Sequence, residues 1–285
     1  MNLSGKAMTD EQIMNHVNKL ALRGSGYVSP NPRVGAVIVK NGKIISEGWH
    51  RQFGESHAEV DAIENSGMDN FEDCELFVNL EPCSYQGKTP PCADLIIDKK
   101  FSRVVIGTLD PNPLVSGKGI RKLEAADINV KIGVLENDCK WVNRYFFKHI
   151  TTGLPYITAK AAQSLDGCIA TSLGESKWIS CDESRRRSHL LRSEIDAVLI
   201  GRTTASTDNP KLTVRNVSGR NQKRIILDSK LALPLDIDTL RDANRINTII
   251  CCKQDSAETR KAENLRLAGV HVLPIKADAS GRIDI

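Results

Sequence analysis

Strands alternate with helices along most of the 285-residue chain, which predicts an α/β fold in two domains. Three observations carry that reading. Short aliphatic and β-branched runs (GAVIV, LFVNL, VVIG, AVLIG, RIIL, TIICC) recur between segments of helical period. The length is about twice that of a common domain. A helical stretch, ENDCKWVNRYFFKHITT, stops at Gly153 with Pro155 behind it and splits the alternation into two series. The boundary is placed there, giving domains over residues 1–150 and 151–285.

Residues 9–23 carry Ile13, Val17, Leu20 and Ala21 at helical spacing, with Thr9 or Asp10 as N-cap and Gly24 as the stop. Val34 to Val39 reads as a buried strand. Asn41-Gly42 is a hairpin turn signal, and Lys43 to Gly48 is the return strand. The prolines of SPNP, just upstream, force extended or turn geometry. Asn31 within it is either a plain turn residue or faces whatever pocket lies at the mouth of the first strand. His57 opens a helix, HAEVDAIENS. Glu75 to Leu80 is a third strand, and Pro90-Pro91-Cys92 opens the next helix. RVVIGTLD, GIRKLEAADI and NVKIGV follow as strand, helix and strand, which predicts a sheet with helices on both faces.

The second series reads PYITAKAAQS as a strand and ISCDESRRRSHLLRSE as a helix capped by Ser180 or Asp182. AVLIG, RIILD and NTIICC are short strands, SAETRKAENLRLAG a helix and VHVLPIK a last strand. The expected sheet is mostly parallel, with its ligand crevice at the carboxyl ends of the strands.

Composition narrows the class. Hydrophobic content of 40% suffices for ordinary cores. The net charge of +4 suits a phosphorylated small substrate and is too weak and scattered to argue for nucleic acid. No apolar run reaches membrane-span length, and MNLSGKAMTDEQ lacks an apolar signal core. Eight cysteines in a chain of this length do not make a disulfide scaffold, so a reducing cytoplasm is the expected compartment.

The chemistry is concentrated between His57 and Cys92. One imidazole (His57) and two thiols (Cys83, Cys92) are the donors of a catalytic zinc site, which leaves a fourth position open. Glu59, two residues after the histidine, is placed to shuttle protons. The pattern resembles the H-x-E and P-C-x-x-C signature of base deaminases, with eight residues between the cysteines in place of two. The competing readings are a structural zinc site or no metal, with Glu59 a helix-start acid. Cys74 precedes Cys83 by nine residues, outside finger spacing.

The segments SPNPRVGAVIV, HAEVDAI, NLEPCSYQGKTPPCAD, DPNPLVSGKGI, TGLPYITAKAAQSLDGCIAT, GESKWIS and DNPKLTVR together resemble the family of bifunctional riboflavin-biosynthesis deaminase/reductases. The resemblance spans about residues 10–230. It implies a cytidine-deaminase-like αβα domain followed by a dihydrofolate-reductase-like α/β domain. His57, Cys83 and Cys92 would hold Zn2+, with Glu59 as the proton shuttle. The first reaction would deaminate a phosphoribosyl diaminopyrimidine. The second would use NADPH to reduce the ribosyl group to ribityl. Positions matching the family's NADPH contacts are Ala162, Trp178, Thr204, Asp208 and Ser229. Those matching its substrate contacts are Ser176, Arg192, Leu212 and Arg215, with Asn31 as a further candidate in the deaminase half. A guanidinium fork pairs well with a substrate phosphate. Lys160 and Asp166 also lie in the signature segments. The implied partner is a small phosphoribosyl pyrimidine, with no nucleic acid and no membrane, and a homo-oligomer is expected.

Two departures qualify the resemblance. The family carries His after the Ser of its PCS segment, where this chain has Tyr85. The family also continues into a Glu-Gly-Gly loop that holds cofactor phosphates, whereas residues 251–285 have only the isolated Gly269 and Gly281, so a C-terminally incomplete reductase half is expected. Two other classes stay open: another zinc deaminase acting on cytosine or a nucleoside, and a zinc-stabilised dimerisation module without catalysis.

Overall fold

A computed structural model describes residues 7–85, 90–113, 115–244, 246–280 and 282–284. The QGKT part of the cysteine segment and Gly281 lie outside them. The chain forms two compact units, Met1–Ala159 and Lys160–Ile285.

The first unit opens with α1 (Asp10–Ala21), where Thr9 accepts from the Gln12 amide and Gln12 closes a capping box. Strands β1 (Gly35–Lys40) and β2 (Lys43–Trp49) form the hairpin, with Asn41 and Gly42 both at positive φ (51° and 71°). That is what a tight primed turn requires. Then come α2 (Ala58–Ser66), β3 (Cys74–Leu80), α3 (Cys92–Asp98), β4 (Arg103–Thr108), α4 (Lys118–Ala125) and β5 (Asn129–Ile132). The strands lie in the order β2-β1-β3-β4-β5. β1 is antiparallel to both neighbours, and β3, β4 and β5 are parallel.

The period of two along each strand explains why helices cover both faces. Ala36, Ile38, Leu76, Val78, Val104 and Ile106 pack toward α2, α3 and α4. Their neighbours Val37, Val39, Phe77 and Val105 pack toward Ile13, Met14, Val17 and Leu20 of α1. Each central strand is therefore buried on both sides, as its near-continuous apolar run implies.

The expected single helix at the end of this unit is two, α5 (Glu136–Val142) and α6 (Arg144–Thr152). The break is at Asn143, which is buried and committed elsewhere. Its Oδ1 accepts from the Arg33 amide at 2.7 Å and its Nδ2 donates to the Arg33 carbonyl at 3.0 Å.

In the second unit the stretch 155–164 is not the expected strand: it has extended or irregular backbone and pairs with no strand among the described residues. A strand needs ladder partners and a face to bury. Here Ile157 is 82% exposed, and Ala159, Ala161 and Ala162 offer little side chain to pack. Next come α7 (Asp182–Glu194), β6 (Ala197–Gly201), α8 (Arg202–Asp208), β7 (Lys223–Leu227), α9 (Asp238–Arg241), β8 (Thr248–Lys253), α10 (Gln254–Ala257), α11 (Arg260–Leu267) and β9 (Val270–Ile275). All pairs in the sheet β6-β7-β8-β9 are parallel. Ile226, Ile250, Cys252, Val270 and Val272 share one core with Leu240, Ala262 and Leu265.

Smaller expectations also change here. The N-cap of α7 is Cys181, not Ser180 or Asp182, and no side chain caps it. The helix expected over SAETRKAENLRLAG is α10 and α11, because Thr259 turns to cap the second, its Oγ1 accepting from the Ala262 amide at 3.3 Å. Helix α8 has no apolar stripe to announce it, since among its residues only Ala205 is buried.

Candidate active site

The first unit delivers three donors to one point from three element ends. His57 is the N-cap of α2, Cys92 the first residue of α3, and Cys83 sits just past the end of β3. His57 Nδ1 lies 3.1 Å from Cys92 Sγ and 3.7 Å from Cys83 Sγ. The three ligand atoms all fall within 4.8 Å of one another. The Cys92 amide donates to Cys83 Sγ at 3.2 Å, so free N–H groups at a helix start face a sulfur.

The protonation pattern fits a cation. A hydrogen bond from Cys92, with help from His57, draws the Cys83 thiol down toward thiolate. Cys92 is pushed up, mainly because it donates that bond. The hydrogen bond to Cys83 raises His57 to about 9 against the pull of its burial. Thiolate and neutral imidazole are the ligand forms, so binding of a cation here would be linked to proton release. One nitrogen and two sulfurs with a fourth side left open form the donor set of a catalytic zinc.

Glu59 is 4% exposed and lies in the first turn of α2, beside Cys92. Burial pushes its carboxyl above the ordinary range. It is available as a proton carrier.

Asn31 is half-buried, and its Nδ2 lies 3.2 Å from His50 Nε2. His50 was not legible as a site residue. It ends the β2 segment as Gly-Trp-His, is buried, and stacks edge-on to His57 at 5.9 Å. Its Nδ1 lies 2.9 Å from the Ser56 carbonyl, which fixes the proton on Nδ1 and leaves Nε2 to accept from Asn31. Burial lowers its pKa, so the ring is neutral.

Glu81 was missed as well. Its buried carboxylate accepts from the amides of Asp110, Gly117 and Gly119 at 3.3, 2.9 and 3.0 Å. It ties the 110–119 loop to the segment that carries Cys83. The only signal was an acid one residue before Pro82-Cys83. Tyr85, at the family's His position, is 60% exposed.

In the second unit the expected contacts form separate groups. Thr204 and Asp208 are on α8, directly after β6, and Ser229 follows β7, all at the carboxyl ends of parallel strands. Arg192 and Arg215 meet at His189, while the Leu212 carbonyl accepts from Gln222 Nε2 at 2.7 Å. Ala162, Ser176 and Trp178 lie in the irregular stretch before α7, where Trp178 stacks under Arg185 at 4.4 Å. Lys160 is exposed. Asp166 is held in a turn by Ser164 Oγ at 2.5 Å, which supports its plain turn reading.

Residues 7–108 match the cytidine and deoxycytidylate deaminase zinc-binding region, and residues 155–284 match the RibD C-terminal domain. The riboflavin biosynthesis protein RibD of Aquifex aeolicus is 47% identical over 94% of this chain and 74% of its own length. The protein of the same name from Actinobacillus pleuropneumoniae is 41% identical over 99% of this chain and 74% of its own. A crystal structure from Thermotoga maritima is described as a diaminohydroxyphosphoribosylaminopyrimidine deaminase/5-amino-6-(5-phosphoribosylamino)uracil reductase. It superposes with a TM-score of 0.81 at 39% identity, covering 93% of this chain and 81% of that one. Acinetobacter baumannii RibD gives a TM-score of 0.82 at 36% identity, over 95% and 75%.

Proposed function

The chain belongs to the RibD family of riboflavin-biosynthesis deaminase/reductases, and on that premise we propose which of its residues perform the two reactions. The first converts 2,5-diamino-6-(5-phosphoribosylamino)pyrimidin-4(3H)-one and water into 5-amino-6-(5-phosphoribosylamino)uracil and ammonia. The second reduces the ribosyl group of that product to ribityl. The enzyme uses zinc for the first and NADPH for the second.

The observation that carries the deaminase assignment is the convergence of His57 Nδ1, Cys83 Sγ and Cys92 Sγ beside buried Glu59. These three side chains would hold the zinc, which supplies an acidified water as the attacking group. Glu59 would carry both protons of the attacking water, the first to the ring nitrogen next to the attacked carbon and the second to the leaving amine, which departs as ammonia. The amide of Asn31, oriented by neutral His50, is placed to hold the pyrimidine edge. A carboxyl two residues past the histidine has no use in a structural zinc site, which argues against the non-catalytic module.

In the reductase unit NADPH supplies the hydride. Thr204, Asp208 and Ser229 offer donors and an acceptor to a nucleotide at the carboxyl ends of the sheet, where such ligands bind in open α/β folds. Ala162, Ser176 and Trp178 are assigned by family position alone. The Arg192 and Arg215 guanidinium groups both reach Thr213, Arg192 Nη1 donating to its carbonyl at 3.0 Å and Arg215 Nη1 to its Oγ1 at 2.9 Å, a pairing suited to the substrate phosphate. A homo-oligomeric state and a cytoplasmic location complete the reading. The latter is supported by eight cysteines without a disulfide and by the lack of any described helix long and apolar enough to cross a membrane.

The test compares the phosphoribosyl diaminopyrimidine with cytidine. Ammonia from the former and none from the latter is expected. Turnover of cytidine at an equal or higher rate would move the chain to the nucleoside deaminases.

A further inference from the structure

The segment 209–215, which carries Leu212 and Arg215, has no strand or helix of its own. Asn209 and Leu212 both sit at positive φ, 39° and 52°. For a leucine that backbone is disfavoured and persists only where the surroundings hold it. They do so one residue at a time. The Lys211 carbonyl accepts from Arg224 Nη1 at 3.2 Å and the Leu212 carbonyl from Gln222 Nε2 at 2.7 Å. The Thr213 carbonyl accepts from Arg192 Nη1 at 3.0 Å. The Val214 amide donates to Asn221 Oδ1 at 2.7 Å, and the Arg215 amide donates to His189 Nδ1 at 3.2 Å. Five consecutive residues are thus tied by their backbone to five side chains from α7 and from the start of β7.

Three of the five holders are buried. Arg224 and Gln222 are fully buried, and Arg224 is fixed further by Thr248 Oγ1 at 2.9 Å and by Asp242 at 2.7 Å. His189 is buried in the last turns of α7, three residues before Arg192. Its Nδ1 also lies 3.4 Å from Arg192 Nη1. One lone pair therefore receives the Arg215 amide and neighbours the Arg192 guanidinium.

We propose that His189 is a positioning residue of the reductase: through the Arg215 amide and Arg192 it sets the spacing of the two guanidinium groups that take the substrate phosphate. The inference rests on the reading of Arg192 and Arg215 as substrate contacts. An acceptor at Nδ1 is possible only on a neutral ring. Burial, then the positive charges of Arg192 and Arg215, lower the His189 pKa and keep it so. A protonated ring would have no acceptor for the amide.

The acceptor can be separated from the ring. Asparagine can place Oδ1 where Nδ1 stands, and leucine fills the space without an acceptor. In the reductase assay with 5-amino-6-(5-phosphoribosylamino)uracil at saturating NADPH, His189→Leu should raise KM about tenfold, the upper range for a lost hydrogen bond. Its kcat should stay within about threefold, and His189→Asn should stay within about threefold in both. The dissociation constant of the same compound, measured by calorimetry without NADPH, should move in the same ratio as KM. Arg215→Ala is the control for the underlying reading and should raise KM at least as much. If Arg215→Ala leaves KM unchanged, the arginine is no substrate contact and the inference falls with it. If Arg215→Ala raises KM but His189→Leu does not, only the positioning role is overturned. Equal damage from Asn and Leu would also overturn it, because ring volume would then matter and not the acceptor. Should His189→Leu fail to fold, Asn221→Ala decides. Asn221 is exposed and, among the described residues, its side chain holds the Val214 amide alone, so a KM raised about threefold supports the clamp and an unchanged KM refutes it.

Discussion

Replacing Glu59 by glutamine separates catalysis from structure at the deaminase centre. Glutamine has the same number of heavy atoms as glutamate, so the buried space in the first turn of α2 stays filled and no cavity term arises. The lost charge at a helix start costs about 0.3–1 kcal/mol. For a unit of this size that is a melting shift of roughly 1–4 °C. The catalytic loss is much larger. An amide cannot carry the proton between water, ring nitrogen and amine, and general acid–base catalysis is worth about 10²–10⁴-fold. At about 1.4 kcal/mol per factor of ten, this is about 3–5 kcal/mol of transition-state stabilisation, several times the structural cost. Ammonia release, zinc per chain and melting temperature are measured on the same preparation. Glu59→Gln should keep one zinc and nearly its full melting temperature while ammonia release drops by at least about 10². Activity within a few-fold of the parent would refute the proton-shuttle role. Loss of zinc together with activity would make Glu59 a ligand.

Three further outcomes follow from the same geometry. Cys83→Ser combined with Cys92→Ser should abolish zinc binding by metal analysis and end deamination; zinc retained at one per chain would place the metal elsewhere. Gly48→Ala should lower the melting temperature and the zinc content together. Its new Cβ would stand 2.3 Å from the Ala62 amide nitrogen and 2.5 Å from the Ala58 carbonyl oxygen, forcing α2, with His57 and Glu59, off β2. Such overpacking costs about 1–3 kcal/mol, and a parent-like melt with full zinc would show that the helix can yield. Asp10→Asn breaks an ion-pair cluster in which Asp10 Oδ2 meets Arg103 and Lys131, each at 2.7 Å. The hydrogen bond from Arg103 leads in lowering the Asp10 pKa. The stabilisation is therefore present above the unfolded carboxyl value near 4 and fades as pH falls through the lower folded value. The variant should be about 1 kcal/mol less stable at pH 7 and equal to the parent in strong acid by denaturant melts. A deficit that persists unchanged at pH 2 would assign the effect to packing.

Much of the deaminase unit was legible because its signals are local. The Asn41-Gly42 turn, the Thr9 N-cap and the two-sided apolar strands each state their geometry within a few residues. The candidate donors His57, Cys83 and Cys92 were picked out by residue type and order, although nothing in their spacing fixed the ends of α2, β3 and α3 on one point. What escaped depends on distant partners. Asn143 breaks a continuous helical pattern only because the Arg33 backbone, 110 positions away, takes both ends of its side chain. His50 has no local signal of its own, since its place is set by Asn31 and Ser56 at its two nitrogens. In the reductase unit, 155–164 has the composition of a strand yet pairs with none among the described residues. The clamp on 209–215 uses side chains from two elements against a backbone with no periodicity, which leaves nothing for a pattern to detect.

The central claim is that one chain carries both reactions, and a single incubation addresses it. Zinc-loaded protein is given 2,5-diamino-6-(5-phosphoribosylamino)pyrimidin-4(3H)-one with and without NADPH, and ammonia and NADPH absorbance are followed together. The account predicts one ammonia per substrate whether or not NADPH is present. It also predicts NADPH consumption that begins only as the deaminated product accumulates. Absence of ammonia from the zinc-loaded protein, or NADPH oxidation that precedes it, would contradict the assignment.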